Sequence, residues 1–490
     1  MTDTALTTAI KAIARNETLE GDTLETAFEL LLTGEAAPEE IGAFLTGLAV
    51  RGETSTELTA GARIMRQHAR KMHVEGPVLD TCGTGGLPWK SLNTSTASAL
   101  VIAAAGGRVA KHGNRSVPPK TGSADVLEAL GVNLETDESE FQACLNGAGV
   151  AFMFARAHHS AMRHVAPVRA KLGIRTIFNL LGPLSNPAGA QFQVLGVFAP
   201  QWTRPMAEAL AALGTTKAWV VHGRDGIDEL SIAGASHVCE VENGAIREFE
   251  IHPADAGLDT SPLSRLEGSG VQDNAMAITD LLDSQEGPFR DAVLLNAAAG
   301  LHVLGLAPDL KQGVAMAYKH DEVAALKRAE SFESFSRMAS EASPIRGFAA
   351  AMDRITATDE NALICELKRK SPSAGEILPG ADPVAIAREY ESGGAACLSV
   401  LTDGPSFGGS LADFAAIRSA VSLPRLPKPA PMGPTVSSSS FLPLMTFWPP
   451  SFRLPPPISV WMFWLKPMTR PNWNAHCGFH RLLSGSTIAT

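Results

Sequence analysis

Four short segments carry residue types that could do chemistry on a charged small molecule. Gly83-Thr84-Gly85-Gly86 follows a strand-like stretch, Val78-Leu79-Asp80. Glycines let a backbone approach a phosphate closely, and a helix opening just beyond adds a favourable dipole. The segment matches neither the dinucleotide fingerprint nor a Walker loop, so a plain tight turn is the alternative. Asn93-Thr94-Ser95-Thr96 opens an Ala-rich stretch. One such residue makes an N-cap; four in a row can also ligate a metal-bound pyrophosphate. Lys111-His112-Gly113-Asn114-Arg115-Ser116 sets two cations and several donors around a glycine. Asp228-Glu229 is an adjacent acidic pair after the strand-like Ala218–His222. Such a pair can hold Mg²⁺, with water and phosphate completing the shell; exposed surface acids are the alternative.

Two further segments are candidates for a second ligand. His158-His159-Ser160-Ala161-Met162-Arg163-His164 precedes Pro167-Val168-Arg169, and Arg169 could clamp a carboxylate with both nitrogens. No third ligand beside the histidines suggests a metal, so stacking or hydrogen bonding is expected of them. Phe178-Asn179-Leu180-Leu181-Gly182-Pro183-Leu184-Ser185-Asn186-Pro187 reads as a structured turn that is either architectural or a pocket wall.

The elements that must position these groups follow from periodicity. Thr23–Leu31 and Glu39–Val50 carry apolar residues at three- and four-residue spacing, as helices do. Ala97–Ala105 reads as a helix ended by Gly106-Gly107, and Arg108-Val109-Ala110 as a short strand. Ala218–His222 and Ala292–Asn296 read as buried strands. Alternating strands and helices to about residue 345 imply a largely parallel sheet covered by helices. The pattern restarts at Ile364, with strands over 363–368 and 396–401 and helices over 383–393 and 414–420.

Composition bounds the class. The chain has 490 residues, 45% hydrophobic and 19% charged, with a formal net charge of -10. That fits a globular protein of two or three domains and disfavours nucleic acid or an anionic membrane as partner. Six scattered cysteines without a C-x-x-C pair suit a reducing cytoplasm rather than a disulfide framework. The first residues lack a signal-peptide core, and the first 420 positions hold no long apolar span.

Taken together, G-T-G-G, N-T-S-T-A, K-H-G-N-R-S, G-S-A-D, P-V-R, F-N-L-L-G-P-L-S-N-P and D-G-I-D-E-L resemble anthranilate phosphoribosyltransferase over residues 5–345. The resemblance implies a nucleoside-phosphorylase-like α/β fold. A helical N-terminal domain (1–72, joined by part of 165–190) would pack on an α/β domain (73–345), with dimerisation through the helices. It also implies a cytoplasmic, Mg²⁺-dependent enzyme that transfers phosphoribose from phosphoribosyl pyrophosphate (PRPP) to the amine of anthranilate. On this basis Gly83, Gly86, Leu87, Ser91, Asn93, Thr94, Ser95, Thr96, Lys111, His112, Gly113, Asn114, Arg115, Ser116 and Ser123 would surround PRPP. Gly83, His112, Asn114, His158, Arg169, Gly182 and Pro183 would surround anthranilate. Ser95, Asp228 and Glu229 would serve Mg²⁺, and Lys111, Asn114 and Arg169 would be central to catalysis. Two departures stand out. Leu87 replaces the family's Asp after G-T-G-G, and Pro118-Pro119 replaces two serines. A nucleoside phosphorylase of the same fold and a non-catalytic PRPP-binding subunit are the rival readings.

Residues 350–424 resemble the first third of indole-3-glycerol phosphate synthase, a (β/α)₈ barrel. Glu366 and Lys368 match its active-site strand, and Ser371 and Phe407 match substrate-contacting positions. A third of a barrel cannot close, so this segment is expected to be inactive. After Pro424 the composition breaks: no Asp or Glu follows Asp413, and prolines crowd into the tail. Residues 425–490 are therefore expected to be disordered, and a frameshift near 425 is the expected cause. Read from each old third base, codons for Ser459–Arg470 can encode G-M-D-V-L-V-E-A-H-D-E, and those for Gly485–Thr490 can encode V-N-N-R-N. Both strings resemble later synthase strands.

Overall fold

A computed structural model describes residues 3–19, 21–85, 90–115, 121–283, 285–318, 347–358, 362–371, 375–377, 380–402, 404–428 and 462–463. The chain divides into two units, Met1–Glu330 and Ser331–Thr490. Gly86, Leu87, Ser116 and Pro118-Pro119 lie outside the described residues, as does most of the tail.

The first unit opens with four helices, α1 (Ala5–Ala14), α2 (Asp22–Thr33), α3 (Pro38–Arg51) and α4 (Ser55–His68). Each turns an apolar stripe inward, so Leu24, Phe28, Leu31, Phe44, Leu45, Leu48 and Leu58 are fully buried. The Phe28 and Phe44 rings meet edge to face at 5.4 Å. Thr54 and Glu57 start α4 with a reciprocal capping box, Glu57 N donating to Thr54 Oγ1 and Thr54 N to Glu57 Oε2. Two later helices, α9 (Ala166–Leu172) and α10 (Phe178–Leu184), pack against α3 and α4. Gly61 permits this approach, since a Cβ there would stand 2.8 Å from Leu181 Cδ1.

A seven-stranded sheet follows, ordered β3-β2-β1-β4-β5-β6-β7. Its strands are β1 (Leu79–Gly83), β2 (Val109–Gly113), β3 (Val150–Phe154), β4 (Phe192–Gly196), β5 (Lys217–Gly223), β6 (Ser236–Glu242) and β7 (Ala245–Ile251). The first five pair in parallel. β1 and β5 are buried almost end to end, because helices cover both faces. Val194, Trp219 and Val221 pack with α5 (Thr94–Ala104) and α13 (Pro288–Val303). Leu195, Ala218 and Val220 face the opposite core, which includes α11 (Thr203–Ala212) and the N-terminal helices. The chain leaves β1 for β2 on one side, while β4 flanks β1 on the other. The carboxyl ends of β1 and β4 therefore bound the crevice where such sheets bind ligands.

Two expectations are corrected here. Ala292–Asn296 lies inside helix α13, not in a strand. From Ala292 to Leu301 every residue of that helix is buried, so this stretch shows no polar face, and a short apolar window of it reads like a buried strand. The sheet is also mixed: β6 and β7 run antiparallel as a hairpin. Its turn places Asn243 at φ 50° and Gly244 at φ 82°, the left-handed pair that an Asn-Gly hairpin needs.

In the second unit, β8 (Ile364–Leu367), β11 (Cys397–Leu401) and β12 (Arg425–Lys428) pair in parallel, with helices Pro383–Ser392 and Leu411–Ala420 between them. A two-residue strand, β13 (Met462–Phe463), pairs antiparallel with β8. A short hairpin joins β9 (Lys370–Ser371) and β10 (Gly375–Glu376). Residues 425–428 are thus strand, a correction to the expected disordered tail. Parallel pairing with β11 supplies that segment with backbone partners. Glu366 is buried and accepts from Lys368 Nζ at 3.1 Å.

Candidate active site

The site forms where the loops leaving β1, β2 and β5 meet the N-terminus of α5. After β1 the chain cannot run on as a strand, because the backbone is fastened from three directions. Thr84 N donates to Gly196 O at 2.9 Å, and Phe198 N donates to Thr84 Oγ1 at 2.9 Å. Gly85, at φ 64°, donates its N–H to Asp228 Oδ2 at 2.9 Å. Glycines are required where Asp228 reaches over. A Cβ at residue 83 would lie 2.6 Å from Asp228 Oδ2, and one at residue 196 would overlap the Asp228 carbonyl.

Ser95 is the meeting point of the remaining groups. Its N–H, in the first turn of α5, donates to Glu229 Oε1 at 3.1 Å, and its Oγ accepts from Lys111 Nζ at 3.3 Å. Lys111 is buried on β2 and also donates to the Thr81 carbonyl. The acidic pair thus straddles the crevice, with Asp228 on the glycine turn and Glu229 on the helix N-terminus. Burial pushes both carboxyls up; Glu229, desolvated and beside Asp228, reaches about 8. Burial lowers the ammonium pKa of Lys111, against the pull of Asp80. A cation between the two carboxylates would relieve this, and two acids with one hydroxyl suit Mg²⁺, which keeps water and takes phosphate oxygens. Among the described residues no cluster of three or more His, Cys, Asp or Glu could hold a metal.

The other candidates are distributed around this centre. Asn93 donates to Thr121 O at 2.9 Å and accepts from Asn274 Nδ2 at 2.8 Å; Asn274 also donates to Ser91 O at 2.9 Å. Thr94 and Thr96 are buried in the first turn of α5. Ser123 Oγ stands 3.5 Å from Asn114 O, and no Cβ fits at Gly113 between Ser123 and Phe152. The Arg115 guanidinium is held by Asp125 and Glu128 and lies over Phe154.

A second pocket wall lies nearby. The His112 and His159 rings are 5.1 Å apart, each with Nε2 buried and without a hydrogen-bond partner among the described residues. Burial lowers them to about 3 and about 4, so both are neutral at neutral pH. His158 Nδ1 pairs with the Arg70 carbonyl at 2.8 Å. Arg169 Nη2 donates to Asn179 Oδ1 at 3.3 Å, with the guanidinium over Phe178. Pro183 is buried and its carbonyl accepts from Gln193, while nothing within 4 Å would meet a Cβ on Gly182.

Comparison with known proteins decides the family. The glycosyl transferase helical bundle domain matches residues 7–69, and the glycosyl transferase a/b domain matches residues 75–322. The anthranilate phosphoribosyltransferase of Hyphomonas neptunium is 70% identical over 314 residues, 64% of this chain and 92% of that one. The chain belongs to the anthranilate phosphoribosyltransferase family. A second family member, from Parvibaculum lavamentivorans, is 52% identical over 66% of this chain and 94% of its own. The crystal structure of the Thermus thermophilus anthranilate phosphoribosyltransferase is 45% identical, with a TM-score of 0.60 over 65% of this chain and 97% of that one. The yeast anthranilate phosphoribosyltransferase in complex with PRPP and Mg shares the fold at 24% identity and a TM-score of 0.60. Indole-3-glycerol phosphate synthase matches residues 314–430.

Several groups at this crevice escape a reading of motifs. Asp80, buried in β1, accepts from His112 N at 3.0 Å. Gly196 and Phe198 sit at the end of β4, and Arg175 donates to Gly85 O at 2.7 Å. Gly196 follows a plain apolar strand, and Arg175 stands just before F-N-L-L-G-P without a glycine or hydroxyl cluster to mark it.

Proposed function

We propose that this chain transfers the phosphoribosyl group of PRPP to the amine of anthranilate, giving N-(5-phosphoribosyl)anthranilate and pyrophosphate. The convergence on Ser95 of Lys111, Glu229 and the α5 N-terminus is the observation that carries this reading. The N-terminus of an 11-residue helix opens at the crevice, and its dipole favours a diphosphate there. In the reaction the C1–O bond to pyrophosphate breaks as the amine nitrogen bonds to C1 and loses a proton. Mg²⁺, bound through Asp228, Glu229 and the Ser95 hydroxyl, would neutralise the departing diphosphate. Lys111, Asn93 and Thr94–Thr96 would hold the same oxygens, and the Gly83–Gly85 turn would let them approach the backbone closely.

Arg169 would fix the anthranilate carboxylate. Among the described residues its guanidinium donates one hydrogen bond, to an amide oxygen, and lies on an aromatic face, so four of its five N–H groups remain, enough for a bidentate pair. Asn114, Gly182-Pro183 and the neutral imidazoles of His112 and His159 would shape the aromatic pocket. Much of the rate would then come from holding the amine in line with C1. Consumption of anthranilate fluorescence, with PRPP and with or without Mg²⁺, tests the assignment. Arg169→Ala should raise the Michaelis constant for anthranilate by about tenfold or more, with a smaller change for PRPP. An unchanged constant for anthranilate would refute the role of Arg169.

The reading includes a homodimer through the helical domain, checked by sedimentation. It also includes an inactive synthase-like segment followed by a frameshifted tail. The synthase match ending at residue 430 and the absence of acidic residues after Asp413 support the last point. Sequencing the underlying DNA decides it: an intact frame with no synthase codons in the shifted one removes the idea.

A further inference from the structure

Arg175 lies between α9 and α10, where Gly173 ends α9 in the left-handed conformation at φ 65°. Its Nη2 donates to Gly85 O at 2.7 Å, and its guanidinium carbon stands 3.8 Å from the Phe198 ring centroid. Gly85 is therefore gripped at both ends: Asp228 holds its N–H and Arg175 its carbonyl. Phe198, the platform for the guanidinium, is itself fastened to Thr84 of the same turn. Arg175 Nη1 is buried and has no hydrogen-bond partner among the described residues. The neighbouring Thr176 N donates to Asn179 Oδ1 at 3.0 Å, the atom that also accepts from Arg169. One short segment thus carries both arginines, and Asn179 Oδ1 joins Arg169 to the backbone just after Arg175.

We propose that Arg175 is a positioning residue that couples the two substrate subsites: it holds the Gly83–Gly85 turn in its diphosphate-binding shape and links that turn to the helix carrying Arg169. This rests on the phosphoribosyl-transfer reading above. A guanidinium is suited to the task because its plane can lie flat on Phe198 while its edge donates to Gly85. A lysine keeps the charge but offers neither the plane nor the fork.

The experiment uses the full chain with Arg175→Gln, Arg175→Lys and Arg169→Ala. Calorimetric titration of Mg²⁺–PRPP should show binding weakened by about tenfold in Arg175→Gln, and the Michaelis constant for PRPP should rise in step. Arg175→Lys should remain about threefold or more above wild type. The double variant Arg169→Ala/Arg175→Gln should depart from the product of the single effects, as coupled sites do. A lowered melting temperature with PRPP affinity and both Michaelis constants unchanged means a merely structural role and overturns the proposal. If Arg175→Gln does not fold, Arg175→Lys decides alone, and a lysine variant equal to wild type overturns it. A wild type that binds PRPP without consuming anthranilate sinks the transfer reading, while the binding constants still judge Arg175. A wild type that binds no PRPP sinks both.

Discussion

At the scale of single residues, the decisive feature is a pair of carboxyls kept in a place that water does not fully reach. Glu229 is raised to about 8 by burial and by Asp228. Its folded value therefore exceeds the ordinary 4.5, so without metal it stabilises most below that value, and the stabilisation is lost as pH rises through about 8. Metal-free protein should accordingly show a melting temperature that falls between about pH 5 and 8. Saturating Mg²⁺ should remove much of the decline, since the cation favours the charged form. Glu229→Gln should flatten the metal-free curve and abolish the Mg²⁺ effect in scanning calorimetry. Mg²⁺ affinity should also strengthen with pH up to about 8, because a protonated carboxyl is no ligand. A metal-free curve that rises over this range would contradict the assignment.

At the scale of elements, the site is a consequence of where strands end. β1 and β4 terminate in Gly83 and Gly196, and the Asp228 backbone lies directly over Gly196. Gly196→Ala must displace the loop that carries both carboxylates, since the added methyl meets backbone rather than a flexible tip. Overpacking of this kind costs about 1–3 kcal/mol, and Mg²⁺–PRPP binding should weaken by about tenfold or more. Gly147→Ala is the matching control: it lies in α7 (Glu138–Ala148) with open space around its Cβ, and alanine favours a helix. Kinetics and thermal melts of the two variants separate the cases. Gly83 and the α5 opening were legible in the sequence because both fall between a strand signal and a helix signal, where the chain must turn. Gly196 was not, because its need arises from a segment more than 30 residues away. Helix α13 was misread because burial on every side removes the polar face that betrays a helix. The β6–β7 hairpin left a readable trace, Asn243-Gly244 between alternating strands. The acidic partners of Arg115, Asp125 and Glu128, were not legible beside it because they become neighbours only through α6 (Ser123–Ala129).

At the scale of the whole molecule, every group assigned to the transferase site lies in the first unit. The helical bundle and a/b domain matches, residues 7–69 and 75–322, both fall inside that unit. The cores beneath the site draw on residues from Leu6 to Ala317, and the a/b domain match ends at residue 322. A chain stopped within 331–346 should therefore keep its catalytic efficiency within about twofold, because domains with their own cores fold alone. The second unit has a core of its own, built from Cys365, Leu367, Ala387, Leu398, Val400 and Ile417. Among the described residues its sheet is three parallel strands with a two-residue antiparallel strand on β8, a smaller sheet over a smaller core, so it should be the weaker unit. The full-length protein should melt in two steps, and loss of anthranilate turnover should track the higher one. Mg²⁺–PRPP should raise that step and leave the lower step in place, since a ligand stabilises only the unit that binds it. A single transition that moves as a whole with PRPP, or a truncated chain with more than about tenfold lower activity, would show that the transferase depends on the appended segment.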